Sequence, residues 1–268
     1  MPRIRTYGLD ADTLAFAARV KAGSGRTILT ENLKQINKFV IGIKKLGLWN
    51  TMVCWPMRSV HNAGTGSIIY SLGGLGIHDG TLTDTIEWSN LGLKTFGTIA
   101  GRVVGTFRSS SSSNFPMTLF AVNIRNSNNY ITGIDPLIQV GTSTNTLTLS
   151  RRGPNGNNAD NYTIRNNSGL NISSPAITPF QWYTIYSSID FNLANLSINK
   201  RLASYGQTTS AQTLLPTNSS FILSDSPSSG TGDSVQQFAS IFLNTPTNET
   251  SLHDLYKSTL GNGLGLPY

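Results

Sequence analysis

Trp182-Tyr183-Thr184-Ile185-Tyr186-Ser187-Ser188-Ile189-Asp190, followed by Phe191-Asn192 and then Leu193-Ala194-Asn195-Leu196-Ser197-Ile198-Asn199, decides the fold class. Two runs rich in β-branched and aromatic residues are separated by a two-residue break, which reads as a hairpin. Working outward, similar short runs occur at 67–72, 99–107, 117–125, 137–140, 146–151, 221–223 and 238–243. Loop compositions separate them: the serine run 109–113, and Gly153-Pro154-Asn155-Gly156-Asn157-Asn158. Strands at this spacing with turn residues between them predict a β-sandwich over residues 61–268. No internal repeat is visible.

Helical patterns flank this region. Asp10 and Asp12 are N-cap candidates for a helix over 13–22, which Gly23-Ser24-Gly25 ends. A second helix is expected from Thr30 to Leu46 with Gly47 as its stop. Its apolar residues Leu33, Ile36, Val40 and Ile43 step by three, four and three and so form one stripe. Two short helices do not make a stable core, so the stripe needs a partner surface on the body of this chain or on another molecule. A last helix is expected over 247–260, with Leu252, Leu255 and Tyr256 inward and Gly261-Asn262-Gly263 as its end.

Charge separates the same two regions. The chain of 268 residues is only 12% charged, about half the usual share, yet carries a net charge of +7. Residues 1–60 hold ten basic side chains against three acidic ones, whereas 61–268 is balanced at ten of each. The whole excess therefore lies in a basic N-terminal helical segment. Arg3, Arg5, Arg19, Lys21, Arg26, Lys34, Lys38, Lys44 and Lys45 are its candidate docking residues for an acidic surface, the alternative being a solvated helix face. The segment lacks a dense basic run and has few aromatics to stack bases, which argues against specific nucleic-acid binding. No window approaches the roughly 18 apolar residues of a membrane span, and no apolar run of signal-peptide length follows the first basic residues. A single cysteine, Cys54, rules out an intramolecular disulfide; its apolar neighbours predict a buried, inert thiol.

A catalytic constellation is hard to assemble. Asp84 and Glu87 are the one close pair involving a glutamate. Three residues apart, they point to opposite faces if extended, whereas a retaining glycosidase needs two carboxyls about 5 Å apart on one face. His61, His78 and His253 are scattered. His78-Asp79 sits in a glycine-rich turn, where an Asp-Gly turn accounts for the aspartate without an ion, although Asp/Asn loops can also take calcium. Gly64-Thr65-Gly66-Ser67 and Gly73-Gly74-Leu75-Gly76 lack the Lys-Ser/Thr pair and the helix of a phosphate loop, and read as tight turns. No metal and no cofactor is expected. Trp88 and Tyr130, each beside polar turn residues, are the candidate carbohydrate-binding aromatics; the competing reading has Trp88 plugging the sandwich core.

Several stretches resemble one family. Asp10-Ala11-Asp12 and the run from Phe39 to Trp49 are similar to a helical lead-in of tailed-phage structural proteins that carry a laminin-G/concanavalin A-like sandwich. Tyr70-Ser71-Leu72-Gly73-Gly74-Leu75-Gly76, Asp79-Gly80-Thr81 and Trp88-Ser89 look like the opening of that sandwich, and Trp182-Tyr183-Thr184-Ile185 with Ile198-Asn199-Lys200 like its central hairpin. There a Gly usually follows the Asn; here Lys200 stands. Leu255-Tyr256-Lys257 and Gly263-Leu264-Gly265-Leu266-Pro267 are similar to its end. The resemblance touches residues 9–268 through loose motifs. It implies a mainly β protein, a concanavalin A-like jelly-roll β-sandwich with a basic N-terminal helical segment (1–60) and a short C-terminal helix. It further implies a non-enzymatic virion structural protein, oligomeric in the particle, serving tail or fibre attachment or capsid decoration. Its partners would be other virion proteins and a host surface glycan, with no membrane insertion. The rival readings are a free carbohydrate-binding module and a glycan-cleaving enzyme acting through Glu87.

Overall fold

The computed structural model describes residues 8–82, 86–95, 102–107, 117–125, 134–142, 145–152, 161–166, 170–190, 193–207, 219–224, 234–244 and 247–266. The elements begin with α1 (Ala11–Ser24), α2 (Thr30–Lys45), β1 (Met52–Pro56), β2 (Ile68–Ile69), β3 (Gly80–Leu82), β4 (Ile86–Trp88), β5 (Leu93–Thr95) and β6 (Arg102–Phe107). They continue with β7 (Met117–Arg125), β8 (Ile134–Thr142), β9 (Asn145–Arg152), β10 (Asn161–Asn166), β11 (Asn171–Ser173) and β12 (Trp182–Asp190). The chain closes with β13 (Leu193–Ile198), β14 (Arg201–Gln207), β15 (Ser219–Ser224), β16 (Ser234–Leu243) and α3 (Glu249–Ser258).

The strands form two eight-stranded antiparallel sheets. The first runs β14-β13-β12-β7-β16-β5-β4, with β1 also pairing to β16; the second runs β11-β10-β9-β8-β15-β6-β3-β2. Together they make a concanavalin A-like jelly-roll sandwich. The predicted hairpin is present, with Asp190 opposite Leu193 and Ile185 opposite Ile198. Between the sheets, Leu119, Ala121, Ile185 and Ile241 of the first meet Ile138, Val140, Leu149 and Ile164 of the second. Tyr162 and Tyr183 meet edge to face with ring centroids 5.7 Å apart.

The first sheet is apolar on its other face as well. Phe120, Val122, Tyr186, Phe238 and Phe242 point outward from it and are buried under the helices, beside Phe16, Val20, Leu33, Ile36, Phe39, Val40 and Ile43. The helical stripe therefore finds its partner on the body of the same chain. Phe238 stands at the centre of this second core, with ring centroids 5.5 Å from Phe39, 6.0 Å from Phe120 and 4.9 Å from Tyr256. α3 completes the cover with Leu252 and Tyr256 buried. It crosses α2 at Gly42, where an added Cβ would come within 2.2 Å of Leu255.

Helix boundaries follow local chemistry. The Asp10 carboxylate accepts from the Asp12 N–H at 3.0 Å, and Gly25 closes α1 at φ 74 with its N–H on the Lys21 carbonyl. The Asn248 side chain accepts from the Ser251 N–H at the start of α3.

Seven strands do not show in the sequence pattern: β1, β3, β4, β5, β10, β11 and β14. Strand β1 lies inside 1–60 and has all five residues buried, with Met52 and Cys54 in the outer core and Val53 and Trp55 in the inner one. A strand covered on both faces has no alternation to read. Four of the other six have only three residues, too few to show a period. The β13–β14 link is a two-residue turn in which Asn199 has φ 50 and Lys200 φ 66. Both residues are left-handed, the geometry that favours Asn-Gly. The Asn199 side chain accepts from the Thr184 N–H at 2.9 Å, and Lys200 bridges to Asp254 of α3 at 3.0 Å.

Because Phe16 is 2% exposed in the second core, Phe16→Ala is expected to cost about 3–5 kcal/mol of stability. Urea unfolding should show this as a lower midpoint for the single cooperative transition of the whole chain. A loss below about 1 kcal/mol would mean that α1 does not stabilise the sheet.

Candidate functional site

The basic residues divide into structural and exposed sets. Lys44, in the last turn of α2, bridges to Asp10 at 2.7 Å and to Asp12 at 2.5 Å, tying the end of α2 to the start of α1. The Lys44 hydrogen bond holds the Asp10 carboxyl below the usual aspartate range. Burial works against the charged Lys44 amine, but its bonds to both carboxylates outweigh that and raise its pKa. Arg19 bridges to Asp79 at 3.0 Å and donates to the Ser71 carbonyl, pinning α1 to the 71–79 loop. Arg26 is half-buried over Gly64, where a Cβ would collide with its guanidinium.

Lys21, Lys34, Lys38 and Lys45 are exposed and carry no ion pair among the described residues. At 100° per residue, Lys34, Lys38 and Lys45 fall within about 40° of one another on α2, opposite its buried stripe. They form one outward row. Arg3, Arg5 and Tyr130 lie outside the described residues, as does Asp84.

The remaining sequence candidates are engaged locally. Trp88 is half-buried against both cores, and its indole N–H donates to the Gly66 carbonyl at 3.1 Å, joining the β4 edge of one sheet to the loop before β2 of the other. Glu87 is exposed on β4, in register with Lys94. Asp79 accepts from the Ser71 N–H at 2.8 Å and the Ser71 hydroxyl at 3.1 Å besides its bridge to Arg19. His78 gives its carbonyl to the Trp55 indole N–H at 2.8 Å. This turn is a clamp between loop, β1 and α1. His253 Nδ1 lies 2.7 Å from the Thr184 hydroxyl. Among the described residues no three His, Cys, Asp or Glu side chains gather as a metal site would require. Cys54 is fully buried, and burial pushes its thiol well above the ordinary range, so it is a poor nucleophile.

The structure adds a place that charge and motif reading did not single out as a site. A cleft of about 420 Å³ opens where the start of α1 meets the end of α2, lined by Asp12, Lys44, Gly47, Trp49 and Asn50. The Lys44 amine lies 5.1 Å from the centre of the Trp49 ring. Trp49 is held from behind: its carbonyl accepts from the Gly74 N–H at 2.9 Å, and a Cβ at Gly74 would lie 2.7 Å from the indole. The 73–76 glycines thus allow close approach to Trp49 and to the Met52 carbonyl. The only sequence signal was an aromatic-amide pair, Trp49-Asn50, just after a helix-ending glycine.

No family model and no curated protein matches the chain. Solved structures match it in shape. Trypanosoma rangeli sialidase aligns with a TM-score of 0.52 at 15% identity, over 85% of this chain and 39% of that one. A mutant of that sialidase displaying trans-sialidase activity aligns at 0.54 and 12% identity, over 86% and 40%. The botulinum neurotoxin serotype D binding domain aligns at 0.56 and 10% identity, over 79% and 53%. The chain spans about two fifths of the length of the sialidases it matches. At these identities the likeness is one of fold, a β-sandwich of the lectin type.

His61 supplies a pH test of how the helical layer is seated. It is 1% exposed, and its ring Nε2 lies 2.7 Å from the Gln35 side-chain oxygen of α2, to which it donates. Burial, with the Arg58 charge adding to it, pushes its pKa down to about 3. The unfolded chain takes up that proton near pH 6.5. Between the two values only the unfolded chain binds the proton, so stability falls as pH drops from about 6.5 towards about 3, by up to ~1.4 kcal/mol per unit. Urea midpoints taken from pH 7 to pH 4 should show this slope in the native protein and a flatter one in His61→Gln. Equal slopes would exclude His61 as its source.

Proposed function

We propose that this chain is a non-enzymatic structural protein of a tailed-bacteriophage virion, held to an acidic site on the particle by its helical layer. The sandwich then faces outward, in tail or fibre attachment or in capsid decoration. The observation that carries this reading is the lysine row. The second core fastens α1 and α2 to the sheet and leaves Lys34, Lys38 and Lys45 in line on the outer surface. Of the other described basic side chains of the layer, Lys44 and Arg19 are held in ion pairs and Arg26 is half-buried, while Lys21 is exposed on α1. Cations in one row on a rigid helix suit a fixed acidic protein surface, which they steer towards and orient on. The phage assignment rests on the resemblance across residues 9–268. A role in contact rather than catalysis is supported by Glu87, whose side chain is exposed on β4 in register with Lys94.

The test replaces Lys34, Lys38 and Lys45 together by Glu in the full chain and follows incorporation into purified particles with gold-labelled antibody. Wild-type protein is expected on the particle, with label on the head assigning decoration and label on the tail assigning attachment. The triple variant is expected to melt as the native protein does but to fall about tenfold or more in particle occupancy, the equivalent of ~1.4 kcal/mol of binding. Undiminished incorporation would remove the lysine row from docking. Unlabelled particles from cells that express the chain would remove the virion reading itself.

A further inference from the structure

We infer that the cleft beside Trp49 is a binding site for a neutral sugar, made by the helical layer and separate from the Trp88 edge of the sandwich. Its volume of about 420 Å³ falls in the range of small-molecule pockets, with room for one or two hexose rings. Its composition is that of a polyol site: the indole of Trp49 offers an apolar surface, while Asp12, Lys44 and Asn50 offer acceptors and donors at its rim. Vicinal hydroxyls each need a donor and an acceptor, and a carboxylate beside an ammonium and an amide supplies both. Asp12 keeps 45% of its side chain exposed and Lys44 33%, so each retains capacity for a ligand despite their mutual bridge.

The charge balance selects within sugars. Lys44 faces two carboxylates, Asp10 and Asp12, so the cluster carries one net negative charge. An acidic sugar would bring a second negative charge to it and be repelled; a neutral one would meet polarised groups without that cost. The groups are also preorganised. Asp10 caps α1, Lys44 sits in the last turn of α2, and the carbonyl of Trp49 accepts from the Gly74 N–H. Binding need order little of the protein, which favours affinity from a small contact.

This inference does not depend on virion docking, because it concerns the isolated chain and residues other than the lysine row. The full chain is titrated with maltotriose, cellotriose and galactobiose, and with sialyllactose as the acidic comparison, by saturation-transfer NMR and calorimetry. A neutral sugar is expected to bind with a micromolar-to-millimolar Kd, and sialyllactose at least about tenfold more weakly. Trp49→Ala should weaken binding about tenfold or more. Asn50 is exposed, so Asn50→Ala keeps the fold and should also weaken binding should Trp49→Ala prove unstable. The inference is overturned if no neutral sugar binds up to about 10 mM. Binding that survives both Trp49→Ala and Asn50→Ala, or a preference for sialyllactose, overturns it equally.

Discussion

Phe120, Val122, Tyr186, Phe238 and Phe242 project from the face of the first sheet that points away from the sandwich core, and water must be kept from them. Burying side chains of this size contributes on the order of 1.5–3 kcal/mol each, more than any surface ion pair in the chain can supply. That requirement places the helices. The apolar stripe of α2 lies over β16, α1 brings Phe16 and Val20, and α3 brings Leu252 and Tyr256 from the other end of the sequence. A third layer is thus built from the two ends of the chain, and the first sheet becomes the middle of the molecule.

Polar contacts then adjust what the apolar layer has placed. The bulge in β16 between Gln236 and Phe238 turns Gln237 towards the helices, where its side chain donates to the Leu91 carbonyl and accepts from Tyr256. His61 meets Gln35, His253 meets Thr184, and Tyr186 donates to the Thr247 carbonyl at 2.6 Å. All three histidines thus have assigned contacts, His78 through its carbonyl, and none is gathered with others into a metal-ligand set among the described residues. The ion pairs of Lys44 and Arg19 fasten the ends and the loop contact of the helical layer. They also sort the basic charge of the described helices into two internal clamps, one external row on α2 and the exposed Lys21 on α1.

The functional surfaces are by-products of this third layer. Seating α2 by its apolar stripe leaves the opposite face, with its lysines, as the outer wall. Bringing the end of α2 beside the start of α1 puts Lys44 between two carboxylates and over Trp49, and the cleft opens where the helices diverge from the chain leading into β1. The sandwich supplies the platform. Similarity to a sialidase and to a toxin binding domain is a likeness of fold and carries no site with it, since fold and site are separable.

Local pattern and composition were enough to determine the three helices, with Asp10 and Gly25 as the caps of the first, the strands with free alternation or strong β-branched content such as Met117–Arg125 and Trp182–Asp190, and the position of the basic excess. These are properties of neighbouring residues, and the chain shows them before it folds. The twofold burial of the first sheet was not legible, because a strand covered on both sides, such as Met52–Pro56, loses the period that marks it. Nor was the fate of each charge. Lys44 and Lys45 are adjacent in the sequence, yet one closes a three-member ion cluster and the other faces solvent. Only the tertiary structure decided that, because an ion pair between Lys44 and Asp10 joins residues 34 apart and depends on two helices lying side by side. The Trp49 cleft has the same origin: four of its five lining residues fall within 44–50, but it is completed by Asp12 from the start of α1, which only the packing of the two helices brings there.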